Sequence, residues 1–455
     1  MNISKKDTMK KIILVCIMFC NIAIVLGQNY YMATPQGYAA TATGGGNATP
    51  VVVSTYTAFR NALQSTSAAN AVVLVSGTID CTYLSVQLNN KTIIGLPGAR
   101  LRNNQITVGN STTSANNSGI LNIKPNSNNV IIRNLIFEGP GAYDVDGRDN
   151  LTNEGTNVWV DHCEFQDGMD GNFDNKGAAD NVTVSWCKFT YLKPAIAGGS
   201  GGSNDHRFTN LVGSSSSDAP SDGHYSITFQ NCFWAAGCKE RMPRARNARL
   251  HIVSCYYNTG VSNSKAIGLG GGVNNSSCYV ENTNFANVTS VFTSYLGSDG
   301  GTIGVSYTNC LNGATNIGTV AAPTYTVTPI PINEVAGLLT DTTCGAGATL
   351  QVTTAGVISP NNCASLSNDG VQVQKSIKIY PTLIKSNLNI QCDESMSGEA
   401  SIEIYSLSGR KVFSVAKNVS PNIIIELNLE HLSQATYLCK IEINDKIITE
   451  KFIKI

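Results

Sequence analysis

The sequence has few charged residues and no excess of either sign. Charged side chains make up 14% of the chain, and Lys plus Arg (31) equal Asp plus Glu (31). A balanced chain of this kind lacks the broad positive potential that would attract nucleic acids or anionic membrane surfaces. We therefore expect no nucleic-acid partner, and any affinity for a charged ligand has to be local.

Zinc-site patterns are also missing, since the chain has no CxxC pair and no His/Cys cluster. Fourteen Cys are nevertheless present. Five of them hold the same place in repeated segments, which predicts a stack of small buried side chains: Cys163, Cys187, Cys232, Cys255 and Cys310. Cys232/Cys238 and Cys344/Cys363 are candidate disulfides by proximity alone.

No apolar run is long enough for a membrane span. Four Lys residues precede the apolar run from Ile12 to Leu26, which is interrupted by Asn21 and followed by the small residue Gly27. That run is shorter than the roughly 20 residues that a bilayer span needs. We predict a signal peptide over residues 1–27, a secreted protein and no membrane span in the mature form.

Helical segments between strands are lacking as well, which excludes a βαβ fold. The segment Asn157–Phe165 alternates apolar and polar residues, and Asn181–Phe189 repeats its pattern. Similar segments recur at intervals of about 25 residues, too short for propeller blades but typical of stacked coils. We predict an all-β fold, a right-handed parallel β-helix over residues 28–364.

Two features complicate the regular coils. Residues 37–63 predict a loop, a first strand and a short amphipathic helix that covers the open end of the solenoid. The long segment from Gly198 to His224 is rich in Gly, Ser, Asn and Asp, and such loops on a regular scaffold often carry function. After Cys310 the pattern decays into a Pro-bearing segment that we expect to return along the solenoid wall.

The composition changes after a predicted linker at residues 365–374. Lys and Glu alternate with Ile in residues 375–455, which predicts a small antiparallel β-sandwich. Tyr380-Pro381, Ile404–Arg410 and Ala435–Leu438 resemble the sorting domain of the type IX secretion pathway. The resemblance implies type IX-like secretion machinery as a partner and removal of this domain on export. A carbohydrate-binding module is the alternative.

Three signatures resemble the pectate lyases of polysaccharide lyase family 1, over about residues 35–350. These are the Trp-centred strand Val158–His162, the Arg-x-Pro-x-x-Arg segment Arg241–Arg246, and Val72–Ile79 after a Gly/Ala/Thr run. The resemblance implies calcium-dependent β-elimination of α-1,4-polygalacturonate, giving 4,5-unsaturated oligogalacturonides, by a protein we expect to be a monomer.

That reaction removes a weakly acidic proton beside a carboxylate. The carboxylate must be neutralised and the developing enolate stabilised, which a hard divalent cation and nearby Arg or Lys can do. The resemblance assigns Asp149, Asp170 and Asp174 as Ca²⁺ ligands. Three carboxylates leave coordination places for water and substrate. The alternative is an acidic solvated turn with structural calcium or with none, and Asp144, Asp146 and Asp167 are the nearest competing acids.

Basic residues have the other roles that the resemblance implies. Arg241 matches the Brønsted base, with Lys239 and Arg244 as neighbouring cations that favour its neutral form and contribute to substrate binding. Arg246 and Lys193 match the residues that bind substrate carboxylate. A solvated basic turn is the alternative interpretation, but Pro243 fixes the turn between two Arg residues and favours function.

Asp161 and His162 lie on a repeated strand without a Ser, Cys or metal partner, so we interpret them as structural and not as a catalytic dyad. His206 and Arg207 are candidates to line the cleft.

Three other functions stay open. A pectin lyase would act on methyl-esterified substrate without calcium, and the three Asp residues argue against it. A β-helical polygalacturonase would use clustered Asp residues for hydrolysis, but it has no role for Arg241 and Arg246. A non-catalytic β-helical glycan-binding surface protein is compatible with the solenoid, because a fold alone implies no catalysis.

Overall fold

The computed structural model describes residues 30–105, 117–361, 377–392, 397–406, 409–420, 423–443 and 446–455. The chain divides into two compact units, Met1–Ser365 and Leu366–Ile455. The predicted signal peptide and linker lie outside the described residues. No helix within the described ranges is long and apolar enough to cross a membrane.

Three parallel sheets form the walls of the first unit, and the chain visits them in turn. The first sheet has ten strands: Val51–Val53, Val72–Val75, Asn89–Gly95, Asn128–Arg133, Thr156–Asp161, Asp180–Ser185, Tyr225–Gln230, Ala248–Val253, Ser276–Glu281 and Ile303–Thr308. The second has eight: Thr78–Asp80, Arg100–Arg102, Ile136–Glu138, Glu164–Gln166, Lys188–Thr190, Phe233–Trp234, Tyr256–Asn258 and Asn284–Asn287. The third also has eight: Leu84–Val86, Leu121–Ile123, Leu151–Asn153, Phe173–Asn175, Leu211–Val212, Arg244–Ala245, Lys265–Leu269 and Ser290–Ser294. The predicted parallel β-helix is confirmed.

The corner between the first and second sheets has the same construction in successive coils. One residue adopts the left-handed conformation, and Asn fills this place most often because it tolerates positive φ: Asn134, His162, Trp186, Asn231, Ser254, Asn282 and Asn309. The next residue turns into the core. In four coils it is a fully buried Cys with a free thiol, and Cys310 in the last coil is half-buried. The predicted Cys stack is therefore present.

The predicted disulfide between Cys232 and Cys238 is wrong, because both thiols are free and buried. The stack places the Cys232 side chain among backbone carbonyls of its own and the preceding coil instead, with Sγ 3.3 Å from the Val184 oxygen. Cys344 is disulfide-bonded, whereas Cys363 lies outside the described residues.

Aromatic side chains form a column inside the second sheet. Neighbouring rings stack with centroids 4.4 to 5.5 Å apart along Phe137, Phe165, Phe189, Trp234, Tyr257 and Phe285. Phe165 lies directly opposite both Phe137 and Phe189 in the strand register. Each such pair contributes about 0.5–1.5 kcal/mol beyond its buried area, so the column holds adjacent coils in register.

The helix Tyr56–Gln64 covers the first end of the solenoid, as predicted. The Thr55 side chain accepts the hydrogen bond of the Ala58 backbone N–H, which caps the helix. Phe59, Ala62 and Leu63 are buried in the main core. The 3₁₀ turn Ala68–Asn70 follows this helix, and a short helix, Leu296–Asp299, follows the last strand of the third sheet. The 3₁₀ turn Gly37–Ala39 instead lies against the middle of the first sheet, where the Ala39 N–H donates to Thr183 Oγ1 and the Tyr38 N–H to Thr228 Oγ1.

A return segment, residues 330–350, runs back across the corners, as predicted for the Pro-bearing stretch. The Ile330 N–H donates to Ser254 Oγ at 2.8 Å, the Gly347 N–H to the Trp186 carbonyl at 2.8 Å, and the Leu350 N–H to Asn134 Oδ1 at 2.8 Å. The helix Ile332–Thr340 within it was not expected, although Val335, Leu338 and Leu339 have helical spacing and are buried. A small hairpin follows, Gln351–Val352 with Ile358–Ser359.

The second unit contains a three-stranded and a five-stranded sheet. Their strands are Ile377–Tyr380, Asn387–Cys392 and Ile424–Asn428, and then Leu383–Ile384, Lys446–Lys454, Ala435–Ile443, Gly398–Ser406 and Lys411–Val419. All pairs are antiparallel except Leu383–Ile384 with Lys446–Lys454. Apolar side chains of both sheets share one core, in agreement with the predicted antiparallel domain.

Candidate active site

Two neighbouring coils bring the three predicted acids together at the third sheet. Asp149 precedes the strand Leu151–Asn153, and Asp170 and Asp174 flank the start of the strand Phe173–Asn175. These strands are parallel and in register, with Thr152 opposite Asp174. Because adjacent strands are only about 5 Å apart, acids distant in sequence share one place on the wall.

Each of the three carboxylates has one oxygen held by the protein. Thr152 Oγ1 donates to Asp149 Oδ2 at 2.8 Å, and the Leu211 N–H donates to Asp174 Oδ1 at 2.8 Å. His206 Nε2 lies 2.6 Å from Asp170 Oδ1. Asp149 Oδ1 is buried without a hydrogen-bond partner. The site therefore offers carboxylate oxygens that the protein does not itself satisfy.

Burial and mutual repulsion disfavour the charged form of two of these acids. Burial, followed by the charge of Asp170, raises the pKa of Asp149 to about 6. Burial, followed by the charge of Asp149, raises the pKa of Asp174 well above its usual value. Burial also acts to raise the pKa of Asp170, but the hydrogen bond and charge of His206 hold it below its usual value. Crowded carboxylates of this kind are stabilised by a nearby positive charge.

Gly171 provides the space between two of the carboxylates. A Cβ atom at this position would lie 2.6 Å from Asp149 Oδ1 and 3.1 Å from Asp174 Oδ1. Both distances are shorter than an ordinary carbon–oxygen contact. Only glycine therefore leaves the two acids in their present arrangement.

The acids fit a hard cation but do not enclose one. Within the described ranges, no group of three or more His, Cys, Asp or Glu side chains is close enough to hold a metal ion by itself. The unpartnered oxygen and the raised pKa values of Asp149 and Asp174 are what an oxygen-liganded cation such as Ca²⁺ would relieve. Water and substrate oxygens would have to complete its coordination.

Arg241 faces this acidic group. Its positive charge acts to lower the pKa of Asp149, Asp170 and Asp174 alike. The guanidinium stacks over the Phe208 ring at 4.3 Å, and the backbone is left-handed with φ of 60°. A non-glycine residue in this conformation is uncommon and is often functional.

Arg244 and Arg246 share one acidic partner. Arg244 Nη2 lies 3.3 Å and Arg246 Nε 3.0 Å from Asp299 Oδ2. Arg244 also stacks on Tyr295 at 4.0 Å, and Arg246 Nη1 donates to the Gly213 carbonyl at 2.7 Å. Burial, followed by the charge of Arg244, lowers the pKa of Arg246. Asp299 balances only part of the positive charge of Arg244 and Arg246, so a net positive charge remains beside Arg241.

A family model described as pectate lyase matches residues 9–348. The chain belongs to the pectate lyase family. Its C-terminal residues 378–455 match a model of a secretion system C-terminal sorting domain, which agrees with the predicted resemblance and indicates export.

Curated relatives of this pectate lyase family member cover part of its length. A pectate trisaccharide-lyase of Thermotoga maritima is 32% identical over 209 residues, which is 43% of this chain and 48% of that protein. A pectate lyase of Bacillus subtilis is 29% identical over 224 residues, covering 42% and 48%. The chain thus spans about half the length of the curated relatives it matches.

Solved pectate lyases have the same fold. A pectate lyase from Acidovorax avenae subsp. citrulli aligns with a TM-score of 0.50 and 14% identity, covering 72% of this chain and 99% of that one. A pectate lyase bound to a hexasaccharide aligns with a TM-score of 0.50 and 18% identity, covering 71% and 99%. At these identities the likeness concerns the fold alone.

Lys193 and Lys239 have contacts away from the acids. Lys193 Nζ donates to the Gly139 carbonyl at 2.8 Å and lies 3.9 Å from Glu138 Oε1. Lys239 Nζ donates to the Ser262 carbonyl at 3.1 Å and lies 3.7 Å from Asp205 Oδ2. Their predicted role in substrate binding stays a prediction in this pectate lyase family member.

Two of the three competing acids make hydrogen bonds within the fold. Asp144 Oδ1 accepts from the Ser203 N–H and hydroxyl, and Asp167 Oδ1 accepts from the Leu192 and Lys193 N–H groups. Asp146 is exposed.

Asp161 lies in a buried network, as interpreted from the sequence. It pairs with Arg133 at 2.7 Å and with His162 Nδ1 at 2.8 Å, and accepts from Ser185 Oγ at 2.6 Å. Arg207 pairs with Asp205 at 2.7 Å. These groups stabilise strands and loops.

Lys176 is the site residue that the sequence reasoning missed. Its pKa is raised: burial acts to lower it, but the charges of Asp149, Asp174, Glu154 and Asp170 together prevail. It stands two residues after Asp174, at the end of the strand Phe173–Asn175. Period-two alternation places residues i and i+2 on one face of a strand, and this spacing is the signal that would have found it.

Proposed function

We propose that this chain is a secreted pectate lyase that uses calcium to cleave α-1,4-linked polygalacturonate by β-elimination, giving 4,5-unsaturated oligogalacturonides. One observation carries the proposal: Arg241 lies within the field of three crowded carboxylates on the solenoid wall. A base beside a cation-binding acidic group is what elimination next to a uronate carboxylate requires. Membership of the pectate lyase family supports the same conclusion.

Asp149, Asp170 and Asp174 would hold the Ca²⁺ ion. When bound, the ion supplies neutralisation of the substrate carboxylate, which makes the adjacent C5 proton more acidic. Coordination would also relieve the repulsion between Asp149 and Asp174.

Arg241 takes the C5 proton in this proposal. The electron pair of that C–H bond forms the C4=C5 double bond, the C4–O bond to the preceding sugar breaks, and the leaving oxygen takes a proton from solvent. The accepting guanidinium nitrogen must be neutral, and a guanidinium loses its proton only in strongly alkaline solution. We therefore expect turnover to increase into the alkaline range.

Basic side chains around Arg241 bind and orient the polyanion. Lys176 adjoins the acids from the same strand end, and Arg246 stands five residues along the chain from Arg241. Arg–carboxylate pairs can be bidentate and give geometric specificity. Lys193, Lys239 and Arg244 are kept as proposed contacts to more distant sugar units.

The export route is part of the proposal. Residues 1–27 direct the chain out of the cytoplasm, residues 28–364 form the catalytic domain, and residues 375–455 engage type IX-like secretion machinery and are then removed. The sorting-domain match at residues 378–455 supports this division. The working enzyme is proposed to be a monomer.

The test is to incubate the purified protein with polygalacturonate at alkaline pH, with calcium or with a chelator, and to follow ultraviolet absorbance of unsaturated ends. Absorbance that requires calcium is expected. Reducing ends without absorbance would indicate a hydrolase, and no product from any pectin would indicate a glycan-binding protein.

Arg241→Ala is the decisive variant. We expect turnover to fall by about 10²–10⁴-fold, the range for loss of a positioned base, while calcium still binds. Arg249→Ala is the matched control, because Arg249 is an exposed Arg on the first sheet that pairs with Asp222. Equal activity of the Arg241 variant and wild type would refute the assignment of the base.

A further inference from the structure

His206 has no role in the mechanism above, yet it is buried against the acidic group. The side chain belongs to the predicted long loop of residues 198–224, to the part that precedes the strand Leu211–Val212, and the residue is only 6% exposed. Its Nε2 lies 2.6 Å from Asp170 Oδ1. Because an ionised carboxylate only accepts hydrogen bonds, Nε2 carries the proton and donates it to Asp170.

The surroundings fix the imidazole from its other sides. His206 Nδ1 lies 3.3 Å from Ser203 Oγ, and the ring packs on Phe208 with centroids 4.2 Å apart. Ser203 is itself bound through its N–H and hydroxyl to Asp144 Oδ1. The Phe208 ring also carries the Arg241 guanidinium on it at 4.3 Å. The orientation of the His206 ring is therefore fixed by its contacts with Ser203, Phe208 and Asp170.

The three acids show a common pattern. Within the described part of the chain, each has one oxygen that accepts a hydrogen bond, from Thr152, Leu211 or His206, and the other oxygen has no such bond. Thr152 and Leu211 belong to the third-sheet coils themselves. Asp170 lies in a turn, and its side chain is 17% exposed. Without His206, this carboxylate alone would have no partner to fix its direction.

We infer that His206 is a positioning residue for the calcium site: it holds one oxygen of Asp170 so that the other is presented to the cation. This inference rests on the proposed function, since it assumes that Asp149, Asp170 and Asp174 bind calcium. It also assigns a role to the loop, which delivers a hydrogen-bond donor to the acids of the neighbouring coil.

The expected effect is large enough to measure. Loss of a hydrogen-bond partner that orients a metal ligand commonly weakens metal affinity by about 10–100-fold. His206→Ala should therefore bind calcium about 10–100-fold more weakly than wild type. His206→Gln retains an N–H donor and is expected to recover most of the affinity.

The experiment is calorimetric titration of the purified full-length chain with CaCl₂ alone, so that the readout is independent of turnover. Thermal unfolding in chelator reports whether each variant is folded. The matched control is His224→Ala, because His224 belongs to the same loop but bonds the Asn274 carbonyl at 2.7 Å and not an acid of the site. It should bind calcium as wild type does.

Three outcomes would overturn the inference. If His206→Ala bound calcium as tightly as wild type, Asp170 would not need the hydrogen bond from His206. Equal loss in His206→Ala and His206→Gln, with lowered thermal stability in chelator, would show a purely structural role. Absence of calcium binding by wild type itself would overturn this inference together with the calcium part of the proposed function, whereas the first two outcomes leave the proposed function intact.

Discussion

Gly171 offers the sharpest test of the proposed calcium site. In Gly171→Ala the added methyl carbon would lie 2.6 Å from Asp149 Oδ1 and 3.1 Å from Asp174 Oδ1. Ordinary contacts begin near 3.5 Å, so the Asp149 oxygen has to move by roughly 0.7–0.9 Å. The hydrogen bond from Thr152 to Asp149 Oδ2 opposes that movement.

The displacement is large compared with what a metal site tolerates. Ligand distances in functional sites hold within about 0.2 Å, so we expect calcium affinity to fall at least about tenfold, which is about 1.4 kcal/mol. Overpacking at a buried position costs a further 1–3 kcal/mol or so of stability. The fold should survive, because the aromatic column and the sheets are untouched.

Calorimetric calcium titration and thermal unfolding in chelator separate the two effects. The control is Gly297→Ala, since a Cβ at Gly297 meets nothing within 4 Å. It should match wild type in affinity. If Gly171→Ala bound calcium with wild-type affinity while folded, the idea that Asp149 and Asp174 together hold the cation would be refuted.

Two further variants test other parts of the site and fold. Lys176→Met removes a positive charge that acts on all three acids. Calcium should therefore bind more tightly, while KM for polygalacturonate rises about tenfold. If the calcium Kd and the KM both rose or both fell, this role of Lys176 would be contradicted. In Asp161→Asn the buried Arg133 loses its partner, which should cost about 3 kcal/mol at pH 7. Burial acts to raise the pKa of Asp161, but His162 and Arg133 hold it below its usual value. This stability is therefore complete above the unfolded-state pKa of about 4 and is lost as pH falls through the lower folded-state pKa. Denaturant unfolding at pH 7 and pH 3 should show the gap between variant and wild type narrowing in acid, and a constant gap would refute the assignment.

Much of the fold was predictable because every coil repeats one short pattern. Alternation with period two identified the strands, and the shared place of the Cys residues identified the corner that the structure shows. The sequence did not indicate that Val72–Ile79 spans a corner, where Gly77 adopts a φ of 70°. It also missed the helix Ile332–Thr340, because one short apolar face among Pro residues gives a weak periodic signal.

The candidate site was predictable where it depends on neighbouring coils. Asp149, Asp170 and Asp174 meet because stacked coils place equivalent positions side by side. The partners of Arg244 and Arg246 were not predictable, since Asp299 comes from a later coil and no local pattern joins it to the Arg-x-Pro-x-x-Arg segment. Likewise, the hydrogen bond of His206 to Asp170 depends on how the long loop folds back.

The return segment has a consequence for how the solenoid comes apart. Stacked coils usually interact only with their neighbours, so such proteins can unravel one repeat at a time from an end. Here backbone N–H groups of residues 330–350 donate hydrogen bonds to the Ser254 side chain, the Trp186 carbonyl and the Asn134 side chain, which belong to three different coils. Unfolding of a middle coil must also detach this return segment. The unfolding of one coil therefore destabilises coils that are not its direct neighbours. The wall that carries the acids is expected to melt as one cooperative block.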